Sequence, residues 1–195
     1  MNLRRLCLAV LFAALPSVLA HAQASPTATR QIDLSAFGGV TGVETGLAGA
    51  RNLSFAAGAD IGFEPIHGVR PVVEVRGYYP MDGGHLVSQK SILGGLRAEF
   101  MLNHRLHPYG NFLFGRGEMD YGSNFPPFNG YTYIDTTTNI YSPGGGVDYD
   151  LTPHFSVKLD AQFQYWRGYS PTPSGNIWNK MGTVGVVYHF GWRNR

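Results

Sequence analysis

Pairs of oppositely charged residues spaced two apart are the most chemically distinctive feature of this 195-residue sequence. Residues two apart in an extended strand point to the same face, so each pair places an acid beside a base. Three segments carry such pairs: Glu74 with Arg76, Arg97 with Glu99, and Lys158 with Asp160. We predict that these residues form an ionic network in a closed interior, where each buried charge needs a partner. A structural network is favoured over a gate whose pairs exchange partners to admit small ions.

Residues that could catalyse or bind metal are present, but their spacing does not form a recognisable site. His104 and His107 fall in a segment predicted to be a solvated turn. Asp148 and Asp150 flank another turn, where Asp commonly bonds the backbone. His189 lies on the polar face of the last strand-like segment, with no serine two residues on. We predict no catalytic residues, no metal site and no cofactor.

The N-terminus has the organisation of a secretory signal peptide. Arg4 and Arg5 precede an apolar run at residues 6–15, which is too short to span a bilayer as a helix. Ala20 and Ala22 form a small-x-small cleavage site. We predict a signal peptide at residues 1–22, with cleavage after residue 24 as the alternative. A short segment at residues 23–30 follows, and the only cysteine, Cys7, is removed.

The composition excludes several classes of protein. Charged residues make up 14% of the chain, against about 25% in typical soluble domains, while aromatic residues reach 13%. Removing residues 1–22 takes two of the 15 basic residues and none of the 13 acids, so 15 − 2 = 13 bases balance 13 acids. Without a basic excess, the sequence predicts no nucleic-acid partner.

Alternation of polar and apolar residues recurs in eight segments, at residues 31–40, 53–63, 70–79, 91–102, 109–120, 139–150, 156–165 and 181–192. The connections alternate in length. Short ones fall at residues 64–69, 103–108 and 151–154, and long ones at residues 41–52, 80–90, 121–138 and 167–179. Short turns opposite long loops are typical of outer-membrane barrels. We predict an all-β fold, an eight-stranded antiparallel up-and-down transmembrane β-barrel over residues 31–192, with a C-terminal tail at residues 193–195.

The alternation leaves open which face of each strand points inward. A soluble lipocalin-like barrel would have its charges outside, but the charges here are too scarce to cover a soluble surface. Aromatic residues gather near both strand ends, as in the two girdles of membrane barrels. The predicted loop-side girdle comprises Tyr78, Tyr79, Tyr165 and Trp166, and the turn-side girdle comprises Phe63, Phe100, Tyr109, Phe155, Phe190 and Trp192. We therefore expect the apolar face to contact lipid.

Two segments resemble a known family. Residues 144–158 (GGGVDYDLTPHFSVK) resemble the sixth strand, tight turn and seventh strand of the small eight-stranded outer-membrane barrels. Within this family, the sequence is similar to the transmembrane domain of outer-membrane protein A and to outer-membrane protein X. The last strand resembles their C-terminal signal, which implies that Tyr188, Phe190 and Trp192 are read by the barrel-assembly machinery. The resemblance implies location in the outer membrane of a Gram-negative bacterium.

These observations predict a non-enzymatic protein that supports the envelope and displays four extracellular loops for surface interactions. The expected partners are outer-membrane lipid and lipopolysaccharide, the assembly machinery during biogenesis, and a ligand bound outside the cell through the loops. A narrow porin-like channel for ions or small solutes is the alternative. A soluble binder and an envelope enzyme are the remaining classes.

Overall fold

The computed structural model describes residues 32–47, 50–81, 87–102, 105–122, 134–168 and 175–191. Eight strands run along the chain: β1 (Asp33–Glu44), β2 (Arg51–Gly62), β3 (Val69–Pro80), β4 (Val87–Phe100), β5 (Leu106–Tyr121), β6 (Asp135–Asp150), β7 (Phe155–Arg167) and β8 (Asn176–His189). Each strand pairs antiparallel with the next, and β1 pairs with β8 to close the barrel. The predicted fold class is confirmed. Among the described residues, no helix is both long and apolar enough to cross a membrane.

The alternating sequence pattern determines which side of the wall each residue occupies. On β8, Val184 and Val186 are 60% and 52% exposed on the outside, whereas their sequence neighbours Thr183 and Val187 are buried. The other strands alternate in the same way; on β3 and β7, Glu74, Arg76, Lys158 and Asp160 face inward and their apolar neighbours face outward. The predicted assignment of the faces is therefore confirmed.

The strands extend further toward one end of the barrel than the sequence predicted. We call this the loop end, where the connections are residues 45–50, 81–86, 122–134 and 168–175; the opposite turn end has residues 63–68, 101–105 and 151–154. The connections at 45–50 and 81–86 are no longer than the turn at 63–68, so the predicted alternation of lengths is wrong there. The physical reason is that the expected loop residues pair as strand, for example Val43 with Asn52.

Side chains inside the barrel form two layers of different chemistry. The charged layer lies toward the turn end and comprises Asp60, Glu74, Arg76, Arg97, Glu99, Asp148, Lys158 and Asp160. The apolar layer lies toward the loop end and comprises Val43, Ala56, Tyr78, Val87, Leu93, Leu113, Met119, Ile140, Trp166, Ile177 and Met181. Every residue in both layers is buried.

Aromatic residues on the outside form clusters near both ends of the wall. At the loop end, Phe114, Tyr141, Tyr165 and Trp178 are opposite one another on successive strands, with neighbouring ring centroids 4.9–6.5 Å apart. At the turn end, the ring centroid of Tyr188 lies 5.2 Å from that of Phe155 and 5.1 Å from that of Phe190.

Three residues predicted for the girdles lie inside the barrel instead. Tyr78 and Trp166 belong to the apolar layer, and Tyr109 contacts the charged layer. The prediction was wrong because successive residues of a strand point to opposite faces. Aromatic residues near a strand end therefore do not reveal which of two neighbours points inward.

Candidate functional site: the interior of the barrel

The six residues predicted to form a charge network are all buried inside the barrel and are linked through hydrogen bonds and ion pairs. They occupy three strands, which contribute Glu74 and Arg76 from β3, Arg97 and Glu99 from β4, and Lys158 and Asp160 from β7. Residues on other strands connect them.

Arg76 is the centre of one part of the network. Its guanidinium pairs with Glu74 on the same strand and with Asp160 on the far wall, where Nη1 lies 2.6 Å from Oδ1. The same Nη1 donates to the Tyr78 hydroxyl at 2.8 Å. The guanidinium carbon also lies 5.4 Å from the ring centre of Phe37, a contact that favours a cation. This arginine therefore crosses the lumen and ties β3 to β7.

Arg97 is the centre of the second part. It pairs with Asp60 at 3.2 Å, with Glu99 at 3.1 Å and with Asp148. Its guanidinium carbon lies 3.7 Å from the ring centre of Tyr109. Three carboxylates from β2, β4 and β6 thus converge on one cation, and in a low-dielectric interior such an arrangement depends on that cation remaining in place.

Lys158 and Tyr109 join the two parts. The Lys158 ammonium lies 3.2 Å from Asp148 and donates to the Tyr109 hydroxyl at 3.1 Å. That hydroxyl in turn donates to Asp160 at 2.8 Å. The path from Arg97 through Asp148, Lys158, Tyr109 and Asp160 to Arg76 is therefore continuous.

Amide side chains complete the network. Gln162 donates from Nε2 to Asp160 at 3.0 Å and to the Asn111 carbonyl oxygen at 2.9 Å. Asn111 donates to Glu74 at 3.3 Å, and Ser142 donates to Gln162 at 2.9 Å. Neutral side chains therefore donate hydrogen bonds to carboxylates in addition to those from Arg76, Arg97 and Lys158.

Glu74 pairs with Arg76 and Arg97 pairs with Glu99, as the spacing predicts, but the partners on other strands differ from those that the sequence suggests. Strands three and four are neighbours, so the sequence alone allows a pair between Arg76 and Glu99 or between Arg97 and Glu74. In the structure, the ion pairs of the two arginines with other strands involve Asp60, Asp148 and Asp160. Pairs across the lumen depend on how the sheet closes, and a strand-by-strand pattern does not contain that information.

Sequence reasoning missed Asp60, Asp148 and Tyr109 as members of the network. The sequence analysis expects Asp148 to flank a turn, but Asp148 lies within β6 and is 2% exposed. A usable signal was present: Asp60 and Asp148 both occupy the polar phase of their strands, the phase that holds the predicted pairs. Tyr109 gave no such signal, because tyrosine is common on either face of a membrane barrel.

A second polar cluster lies at the turn end. The Ser156 hydroxyl donates to Asp150 at 2.6 Å and lies 3.0 Å from Nε2 of His189, whose other ring nitrogen is 3.7 Å from Asp33. His107 lies 3.1 Å from Asp150 and 3.6 Å from Glu99. The predictions of a solvated His107 and of a turn role for Asp150 are wrong, since both are buried on strands. His104 lies outside the described residues.

The serine and histidine of this cluster resemble a nucleophile and its base in spacing, but the serine is enclosed. Ser156 is 0% exposed and its hydroxyl proton is directed to Asp150. The neighbouring cavity, lined by Asp33, Asp60 and His189, has a volume of about 10 Å³, which is about the space of one water molecule. Within the described part of the chain, no group of three or more His, Cys, Asp or Glu residues could hold a metal ion.

The apolar layer fills the lumen beyond the charged layer. Trp166 is 0% exposed and donates from Nε1 to Gln164 at 3.1 Å. Gly117 on β5 makes room for it, because a Cβ atom there would lie 2.6 Å from the indole ring and 2.4 Å from Ile140. Asn179 and Gln89 lie near this layer and are joined by a hydrogen bond of 2.7 Å.

The residues predicted as an assembly signal lie at the end of β8. Tyr188 and Phe190 are exposed on the outer wall, where their rings pack edge to face at 5.1 Å. Trp192 lies outside the described residues. The structure therefore places two of the three residues on the outer wall, at the turn end.

Comparison with known proteins agrees with this architecture. Residues 6–190 match the family described as the outer membrane protein beta-barrel domain. The structure is similar to Neisserial surface protein A, with a TM-score of 0.51, 15% identity, and coverage of 82% of this chain and 97% of that chain. It is also similar to Ail, the attachment invasion locus protein of Yersinia pestis, with a TM-score of 0.51, 16% identity, and coverage of 82% and 99%. These likenesses concern the fold. A search of curated proteins found no match.

Proposed function

This chain belongs to the outer membrane protein beta-barrel domain family of the bacterial outer membrane, and we propose that it acts there as a non-enzymatic structural and surface-interaction protein with a closed lumen. Its wall stabilises the envelope, and its loop end displays four loops outside the cell. A narrow porin-like channel is the competing function.

The observation that carries this proposal is that the lumen is filled by two successive layers of buried side chains. The charged layer has cations that cross the lumen, such as Arg76 between β3 and β7. The apolar layer beyond it has Trp166 and Leu113 at 0% exposure. An eight-stranded barrel is just wide enough for side chains to fill it. An ion would have to displace both paired charges and a packed apolar cluster to pass.

The non-enzymatic part of the proposal is supported by the surroundings of the candidate nucleophile. Ser156 is buried, its proton is directed to Asp150, and the adjoining cavity holds about one water molecule. A hydrolase of the outer membrane would need a site at which an acyl group could approach that oxygen.

The biogenesis expected for such a protein uses segments at both ends of the chain. We propose that residues 1–22 direct export and are removed, that residues 23–30 are a short N-terminal segment, and that residues 193–195 are a tail. The barrel-assembly machinery would read Tyr188, Phe190 and Trp192. The proposed partners of the mature barrel are outer-membrane lipid, lipopolysaccharide and an extracellular ligand of the loops, with no nucleic acid.

The experiment that tests a closed lumen is conductance in planar lipid bilayers. Purified wild-type barrel should give little or no stable conductance over a range of salt and voltage. A large, steady and ion-selective current would instead support the narrow channel.

The orientation is tested by labelling single cysteines on intact cells with an impermeant thiol reagent. A cysteine that replaces Asn129, in the connection between β5 and β6, should be labelled, whereas one that replaces Pro65, in the turn between β2 and β3, should not. The reverse pattern would place the loop end in the periplasm.

A further inference from the structure

We propose that a groove on the outer wall, formed by β1, β2, β7 and β8 near the loop end, binds an acyl chain of lipid A, the phosphorylated lipid of lipopolysaccharide. The proposal rests on the proposed orientation, in which the loop end lies in the outer leaflet. The groove has a volume of about 630 Å³, within the usual range of about 300–1,000 Å³ for ligand pockets.

The shape of the groove comes from two outward-facing glycines opposite each other on β1 and β8, Gly42 and Gly182. Leu53 on β2 and Phe163 on β7 rise on either side, at 48% and 49% exposure. A Cβ atom added to either glycine would meet no atom within 4 Å. The glycines are thus not required by packing inside the protein, and the space above them is open to the membrane. Hydrocarbon must fill such a space, because water is excluded from the bilayer core.

The charges at the rim favour an anionic lipid over a neutral one. Glu44 on β1 lies between Arg51 on β2 and Lys180 on β8, each directly opposite it in the sheet register. Glu44 pairs with Arg51 at 3.5 Å, and no ion pair among the described residues involves Lys180. Two cations against one carboxylate leave one positive charge at the loop-end rim, where a lipid phosphate would lie. A cation near an anionic membrane surface strengthens binding about fivefold.

The position of the aromatic residues agrees with a headgroup at this rim. Trp178 and Tyr165, whose ring centroids are 4.9 Å apart, lie one outward-facing position nearer the loop end than Lys180 and Phe163. Tyrosine and tryptophan concentrate at the membrane–water interface. The cation is therefore next to the interfacial residues, and the glycine groove continues from it toward the middle of the wall.

A second groove provides a matched control within the same barrel. It has a volume of about 580 Å³ and is lined by Gly110, Ala98 and Phe112 near the turn end. The one basic residue in its lining, Arg97, has its guanidinium in the lumen, paired with Asp60 and Asp148. This groove offers similar space without an outward-facing cation.

The test is native mass spectrometry of the purified full barrel in detergent, titrated with bisphosphorylated lipid A, dephosphorylated lipid A and phosphatidylglycerol. Wild-type protein should retain bisphosphorylated lipid A in preference to the other two lipids. Gly182→Leu should fill the groove and abolish this preference, and Lys180→Gln should weaken binding about fivefold, the equivalent of one surface cation. Gly110→Leu should bind as the wild type does, because only the control groove is changed.

Three results would overturn the proposal: equal retention of all three lipids by the wild type, unchanged binding by Gly182→Leu and Lys180→Gln, or an equal loss in Gly110→Leu. If Gly182→Leu does not fold, Gly42→Leu and the double variant Lys180→Gln with Arg51→Gln test the same site. The conductance experiment is independent of these results, so a barrel that conducts and a barrel that lacks the lipid site are distinguished.

Discussion

The charged layer and the apolar layer occupy the same lumen, but different forces hold them together. In the charged layer, cations such as Arg97 and Lys158 hold carboxylates that would otherwise repel one another. In the apolar layer, Trp166 and Met119 are buried among other apolar side chains. The comparison teaches that a narrow barrel can be closed in two ways, and that each layer should respond differently to substitution.

The largest effect is expected from Arg97→Ala in the charged layer. It leaves Asp60, Glu99 and Asp148 without their shared cation, and removal of one member of a buried ion pair costs about 3–5 kcal/mol. The urea midpoint of unfolding in lipid vesicles should fall further than for any single loop substitution. Adding Asp60→Ala to this variant should restore part of the stability, since Arg97 is the cation that pairs with Asp60 and the second substitution removes the stranded charge.

An unchanged midpoint in Arg97→Ala would mean that water reaches the charged layer. In that case, Arg97→Ala should alter ion selectivity in bilayers instead of stability, and the difference between the layers would disappear.

Trp166→Ala in the apolar layer should cost about 3–4 kcal/mol, the lower part of the range for truncating a buried Trp, because flexible Met119 and Met181 can move into the space. The loss should be the same at low and high salt, because the substitution removes no charge. Urea unfolding at two ionic strengths measures both quantities. A loss that changes strongly with salt would show that charges contribute to the stability of this layer.

Ala161→Arg tests the assignment of inside and outside on which both layers depend. Ala161 faces outward on β7, between the buried Asp160 and Gln162. A charge on the lipid face near the bilayer centre should cost about 2–4 kcal/mol. Ala161→Leu is the matched control and should leave the urea midpoint close to that of the wild type. A harmless Ala161→Arg would argue against contact with lipid at this position.

The smallest effect is expected for Arg51→Ala at the loop-end rim. Its pair with Glu44 has a 79% exposed arginine side chain, and exposed pairs contribute about 0–1 kcal/mol. The shift of the urea midpoint should therefore be far smaller than for Arg97→Ala. A comparable shift would show that burial does not set the contribution of these ion pairs.

Sequence patterns predicted the charged layer more completely than the apolar layer. Glu74, Arg76 and Lys158 interrupt apolar strands at every second position, so their common face is evident from the chain alone. Leu113 lies between Phe112 and Phe114, and three apolar residues in a row give no indication that the middle one points inward. The cross-lumen pairs also lay beyond prediction, because they depend on closure of the sheet.

The most direct test of a closed lumen is the reactivity of a cysteine placed inside it. Ala56 is 0% exposed in the apolar layer, and the only native cysteine, Cys7, lies in the predicted signal peptide. In folded Ala56→Cys, a small charged thiol reagent should react very slowly, and it should react at once after unfolding in urea. Leu151→Cys, in the exposed turn between β6 and β7, is the control that should react in the folded state. Rapid modification of folded Ala56→Cys, at a rate close to that of Leu151→Cys, would contradict the closed lumen.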